Sequence, residues 1–164
     1  MLVTTGEFRK ALGQFATGVT VITVTRDSGN VHGMTANSFA SVSLEPLQVL
    51  VCVDHRALTF QLLQERRSFG INVLAENQEE FARYFARPEQ DAEIAAQIGV
   101  QFRKSDRGTP LLEGAIVHLD CQLANVIKSG DHSIFIADVH SLEYHEGRPL
   151  VFHAGRYKRL PGEH

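Results

Sequence analysis

Cysteine is scarce in this chain of 164 residues: Cys52 and Cys121 each lie alone in an apolar run, with no Cys-x-x-Cys spacing and no companion His pair. That pattern argues against a disulfide framework or a zinc ribbon and reads as two buried, reduced thiols. None of the 13 glycines falls in a Gly-x-Gly pair, so neither a Rossmann fingerprint nor a Walker loop can be drawn. A dinucleotide, if one is used, must be held another way. No Gly-x-Ser-x-Gly elbow is present. Basic residues are not in excess: 16 against 19 acidic ones give a formal charge of −3, without the electropositive footprint that a phosphate backbone requires. No apolar run approaches a membrane span, and the N-terminus lacks a basic stretch followed by an apolar one. The expectation is a cytoplasmic chain with neither nucleic acid nor membrane as partner. His140 and His145 bracket Glu143, but the spacing matches no metalloprotease pattern, and in a strand the two imidazoles point to opposite faces, so no metal site is expected.

What is present is mostly β. Thr4 and Glu7 form a capping box ahead of Phe8, Ala11, Leu12 and Phe15, which share a helical face, so the chain opens with an amphipathic helix ending near Gly18. Val19 to Thr25 and Val31 to Ala36 make a hairpin around Asp27-Ser28-Gly29-Asn30, and a polar loop follows. Gln48 to Val53 reads as a central strand, Leu58, Leu62 and Leu63 as a helix, and Phe69 to Leu74 as another strand. Gln78 to about Ile98 is helical with a break at Arg87-Pro88. Beyond Gly108-Thr109-Pro110 come two long strands, Ala115 to Ile127 and Ser133 to Glu143, then a turn at Glu146 to Pro149 and a last short strand, Leu150 to His153. Strands without regular βαβ alternation predict a single domain over residues 1–164, mainly β with helices (α+β), built as a small antiparallel barrel.

Three segments carry chemistry. Thr35-Ala36-Asn37-Ser38-Phe39-Ala40-Ser41-Val42-Ser43 ends a strand with hydroxyl, amide and small side chains that let donors approach a flat polar ligand, or that simply form a loop. Cys52-Val53-Asp54-His55-Arg56 leads from a strand into a helix with Thr59 in its first turn; backbone N–H groups, the Thr59 hydroxyl and the Arg56 guanidinium could hold a phosphate, or Arg56 is a solvated charge. Ser129-Gly130-Asp131 is reversal chemistry, but the turn does not need the His132 that follows.

Six segments in order resemble the flavin reductase-like family, the FMN-binding split barrels that supply reduced flavin to two-component monooxygenases. They are Phe15 to Thr23, Gly33-Met34-Thr35-Ala36-Asn37-Ser38-Phe39, Phe69-Gly70-Ile71-Asn72-Val73-Leu74, Pro110 to Ala115, Gly130-Asp131-His132 and Gly155-Arg156-Tyr157. The resemblance implies a split β-barrel with Greek-key-like antiparallel strands and peripheral helices, a homodimer with a flavin in each of two sites near the subunit interface, and a transient monooxygenase partner. It implies that Thr35, Ala36, Asn37 and Ser38 bond the polar edge of the isoalloxazine, that Val53, Asp54 and Thr59 line the ribityl and phosphate end, and that Phe85 with Arg87 borders the outer part of an FAD. Gly130, Asp131 and His132, with Tyr157, would contact the nicotinamide nucleotide, while Asn72 serves either backbone groups or the flavin. Ala57 departs from the family, which often has a Ser two residues before the Thr.

The activity so implied is hydride transfer from NADH or NADPH to FMN or FAD, chemistry the cofactors bring themselves. No catalytic acid/base residue is needed; the protein must hold donor carbon and flavin N5 about 3 to 3.5 Å apart, with His132 as a positioning residue. Two rivals stand beside it: a non-catalytic flavin- or haem-binding split barrel, and a reductase with another small acceptor such as a corrin.

Overall fold

The computed structural model describes residues 2–162. The chain opens with α1 (Thr5–Leu12), capped as its sequence predicts: the Glu7 N–H donates to Thr4 Oγ1 at 3.2 Å and the Thr4 N–H donates to the Glu7 carboxylate at 2.9 Å. The helix stops at Gly13, short of Gly18, because residues 17–18 are already extended. There follow β1 (Thr17–Gly18), β2 (Thr20–Thr25), β3 (Val31–Ala36), β4 (Phe39–Leu44), β5 (Leu47–Asp54), α2 (Leu58–Arg66), β6 (Ser68–Val73), α3 (Glu79–Phe85), α4 (Ala92–Gln97), β7 (Phe102–Lys104), β8 (Pro110–Leu112), β9 (Val117–Ser129), β10 (His132–Tyr144), β11 (Leu150–His153) and β12 (Arg156–Arg159).

Seven strands form one antiparallel sheet in the order β3-β2-β6-β9-β10-β5-β4, with the long β9–β10 hairpin inserted between β5 and β6 in Greek-key fashion. Its two edge strands, β3 and β4, are joined by only Asn37-Ser38. A sheet whose edges are tied by a dipeptide must curl back on itself, yet no ladder connects β3 to β4 among the described residues. The result is a barrel with a split between those strands. Ser38, at the split, extends the β4–β5 ladder by donating its hydroxyl to the Cys52 carbonyl at 2.9 Å.

Alternation along β2 shows how the two faces of the sheet are both buried. Ile22 and Val24 point into the barrel core with Val51, Leu63, Phe69, Ile71 and Phe135, whereas Val19 and Val21 point outward to a second cluster with Leu74, Ala82, Phe85, Leu112 and Leu150. Leu62 and Leu63 bring α2 into the first cluster, and α3 contributes to the second. Asn72, fully buried, donates to the Val21 carbonyl and Thr23 hydroxyl and accepts from the Leu112 N–H, so its amide is spent on the sheet.

The expected hairpin, central strands and helix break are present. The polar loop expected after Ala36 is instead strand β4; its Ser41 and Ser43 and the bulge between them break the apolar-polar alternation of this edge strand, so polarity conceals it. The short β7–β8 hairpin and β12 also escaped the reading, since three- or four-residue strands carry too little periodicity. Among the described residues no helix is long and apolar enough to cross a membrane. Both cysteines are free; Cys121 is buried and its thiol is pushed up to about 12 by burial and by Asp120, while Cys52 is only half-buried.

Candidate functional site at the barrel split

α2 begins without a side-chain cap. Ala57 occupies its N-cap position and makes no capping hydrogen bond, so the first N–H groups of the helix are not taken by a side chain of their own chain segment. This gives the departure at Ala57 a physical meaning: a serine there could cap the helix itself, whereas alanine leaves the donors for a ligand. Thr59, 1 % exposed, lies in the same first turn.

Behind Thr59 stands a buried chain. Arg26 Nη2 lies 3.1 Å from His32 Nδ1, and His32 Nε2 lies 3.0 Å from Thr59 Oγ1. A guanidinium can only donate, so Nδ1 must accept and the ring proton sits on Nε2. Burial, then the Arg26 charge, pushes His32 down to about 4, which keeps the imidazole neutral near pH 7 and supports this tautomer. Nε2–H therefore donates to Thr59 Oγ1, and the Thr59 hydroxyl proton is left to donate elsewhere.

Thr59 borders a cavity of about 440 Å³ at the open side of β3, lined among others by Gly33, Thr35, Arg56, Ala57, Phe85 and Arg87. Gln90 fixes one wall: its Nε2 donates to the Gly33 carbonyl at 2.5 Å and its Oε1 accepts the Gly33 N–H at 3.2 Å. Gly33 has no room for a side chain, since a Cβ there would meet the buried Phe85 ring at 2.4 Å. The Thr35 hydroxyl is engaged, donating to the Ala82 carbonyl at 2.7 Å.

A second group of residues sits at the tip of the β9–β10 hairpin. His132 pairs with Ser129 around Gly130-Asp131, and Gly130 at φ 58 supplies the positive dihedral that a tight type II′ reversal puts at its first central residue. The turn lies beside the start of α2: His132 is opposite Asp54 across the β5–β10 ladder, and the His55 N–H donates to the Asp131 carbonyl at 3.0 Å. His132 Nδ1 is 2.7 Å from Asp131 Oδ1, both side chains being largely open to solvent. The hydrogen bond from His132 and then its charge hold the Asp131 carboxyl below its ordinary range. Arg56 ties this end to the cavity, donating to Asp54 at 2.7 Å and holding that carboxyl well below the usual carboxylate range.

Thr35, Thr59, Phe85 and Arg87 thus come together on one cavity, and Asp54, Gly130, Asp131 and His132 at its neighbouring rim. Ala36 and Val53 are buried in the barrel core and offer backbone rather than side chain; Asn37 is exposed at the split, next to Ser38. Tyr157 lies elsewhere, half-buried on β12 against Phe152, with the Arg83 guanidinium 5.0 Å above its ring. Arg26, His32 and Gln90 were not anticipated. His32 adjoins the segment starting at Gly33, but its role depends on Thr59, 27 residues away, and nothing local announces that pairing.

The split antiparallel barrel thus sets an uncapped helix start beside an open cavity, with donors suited to an anionic ligand. The comparisons fix the class further: the flavin reductase like domain model matches residues 12–161, and the chain belongs to that family. It is 42% identical over 160 residues to an NADH-dependent flavin reductase of a Rhodococcus species, covering 96% of this chain and 88% of that protein. It is 40% identical over 151 residues to HsaB, the reductase subunit of a flavin-dependent monooxygenase of Rhodococcus jostii, covering 92% of this chain and 75% of that one. The solved structure of SgcE6, the NADH:FAD oxidoreductase of Streptomyces globisporus in complex with NAD and FAD fragments, superposes with a TM-score of 0.87 at 36% identity, covering 98% of this chain and 97% of that chain.

Proposed function

We propose that the protein is an NAD(P)H:flavin oxidoreductase that uses NADH or NADPH to reduce FMN or FAD and passes the reduced flavin to a partner monooxygenase. The observation that carries this reading is the uncapped start of α2 with the Thr59 hydroxyl oriented by neutral His32, a donor set suited to the phosphate of a flavin nucleotide. When bound, the flavin supplies the hydride acceptor and the reduced nicotinamide the donor. The chain's own residues bind and orient. Thr59 and the first N–H groups of α2 hold the phosphate, with Arg56 and Asp54 at the rim. The backbone from Thr35 to Ser38 meets the flat polar ring, and Phe85 with Arg87 borders an outer nucleotide. Gly130, Asp131 and His132 position the nicotinamide, without Tyr157, which lies elsewhere on β12. No residue is asked to move a proton.

The same reading places a second copy of the chain against α1. This helix buries none of its residues, and its apolar stripe is open to solvent, with Phe8 59% and Leu12 55% exposed and Phe15, just beyond it, 75% exposed. A capped amphipathic helix with its apolar face outward calls for cover, and a homodimer provides it; Phe8→Glu with Leu12→Glu is expected to shift the protein to monomer in sedimentation. We place the reaction in the cytoplasm, where reduced nicotinamide is made and free thiols persist. The function is tested by mixing the protein anaerobically with NADH and FMN or FAD. Bleaching of the flavin absorbance is expected, and binding without bleaching would convert the protein into a flavin-holding module.

A further inference from the structure

Away from the split, three side chains meet at the far end of the long hairpin. His118 on β9 stands directly opposite Glu143 on β10, and His145 follows two residues later, so strand alternation puts all three on one face. Their ligand-type atoms lie within 4.8 Å of one another. The sequence spacing of His140, Glu143 and His145 hides this, because the member that completes the set comes from the neighbouring strand.

His118 is 3% exposed, and its Nδ1 has no hydrogen-bond partner. Its Nε2 lies 2.7 Å from the Leu112 carbonyl, which can only accept, so the proton is on Nε2 and the Nδ1 lone pair is free. An imidazole held by Nε2–H to a backbone carbonyl, with a bare lone pair on the other nitrogen, has the form that metal-ligating histidines take. Leaving such a buried acceptor unpaired is destabilising in general, so a bound cation is the natural partner for it. Arg103 donates to Glu143 Oε2 at 2.6 Å, which leaves Oε1 available. His145 and Glu143 are exposed and can move, and the neighbouring cleft of about 670 Å³, bordered also by Glu76, Glu113 and Glu146, gives access to ion and water.

We propose that His118, Glu143 and His145 form a binding site for a divalent transition metal of the zinc type. Two imidazole nitrogens and one carboxylate oxygen suit zinc, with water in the fourth position. Ligand atoms around tetrahedral zinc stand roughly 3.4 Å apart, so rotation of the two exposed side chains by about an ångström closes the set. The bound ion would clamp the β9–β10 hairpin to the segment that leads into β11. This site shares no residue with the flavin reading, and its test needs no flavin.

The untagged full chain, stripped with EDTA, is titrated with Zn²⁺ by calorimetry and with Co²⁺ by visible absorption. One equivalent per chain is expected, with affinity lowered about tenfold or more in both H145A and E143Q, and with cobalt bands that weaken in the same variants. His140→Ala, on the exposed neighbouring stretch of β10, should bind as the parent does. Because Glu143 and His145 are exposed, their variants keep the fold even where His118→Gln does not. Absence of zinc binding by the parent, or equal affinity in parent, H145A and E143Q, overturns the proposal.

Discussion

At the α2 end of the split, the Thr59 hydroxyl is backed by a largely buried chain from Arg26 through neutral His32. At the hairpin end, His132 is backed by Asp131, which is itself largely exposed. The first arrangement fixes one proton in one direction before any ligand arrives; the second leaves an imidazole free to follow its ligand. Under the proposed function, a rigid anchor for the flavin phosphate and a softer contact for the nicotinamide nucleotide is the division of labour this difference implies.

The comparison breaks most severely at Gly33. Gly33→Ala drives a Cβ into the Phe85 ring, and because that ring is buried the cost is expected at about 1–3 kcal/mol in denaturant unfolding, together with a loss of flavin affinity; unchanged stability would show the cavity wall to be soft. The pH response sharpens the same end. His32 sits near 4 folded against its ordinary 6.5, so between those values the unfolded chain binds a proton that the folded chain refuses. Stability therefore falls as pH drops from 6.5 toward 4 and levels off below. Buried His118, also lowered, adds a loss of the same sign. The His32 part, roughly 1–2 kcal/mol between pH 7 and pH 5, should vanish from the stability difference in His32→Gln, whose amide can still accept from Arg26 and donate to Thr59. An identical pH slope in parent and variant would remove His32 from the account.

The hairpin end should respond in kinetics and not in stability. His132→Ala is expected to raise the KM for NADH about tenfold, the scale of one lost hydrogen bond, with flavin affinity unchanged; NADH kinetics identical at all concentrations would sink the positioning role. Asp131→Asn, which alters an exposed pair, should change that KM by less than about threefold and leave unfolding unaffected. A larger effect would mean that this end is as preorganised as the other.

Much of the barrel was legible because alternation is local: the β2–β3 hairpin, β5, β6 and the two long strands announce themselves by β-branched runs and turn residues. β4 was not, since an edge strand of Phe39-Ala40-Ser41-Val42-Ser43-Leu44 presents the composition of a loop. In the site, Thr59, Asp54 and the Gly130-Asp131-His132 turn could be picked out from residue type and place. His32 and Arg26 could not, because a histidine becomes a relay only when another strand and helix close around it. Glu143 and His145 show the same limit from the other side: their meaning depends on His118 across the ladder.

The central claim is that the flavin is held by its phosphate at the start of α2 through Thr59. Steady-state kcat/KM with saturating NADH, measured for FMN and for riboflavin in the parent and in Thr59→Val, tests it most directly. The parent should prefer FMN, and the variant should lose about tenfold or more of that preference, the scale of a hydrogen bond to a charged group, while riboflavin turnover is retained. An FMN to riboflavin ratio that is the same in both proteins would contradict it.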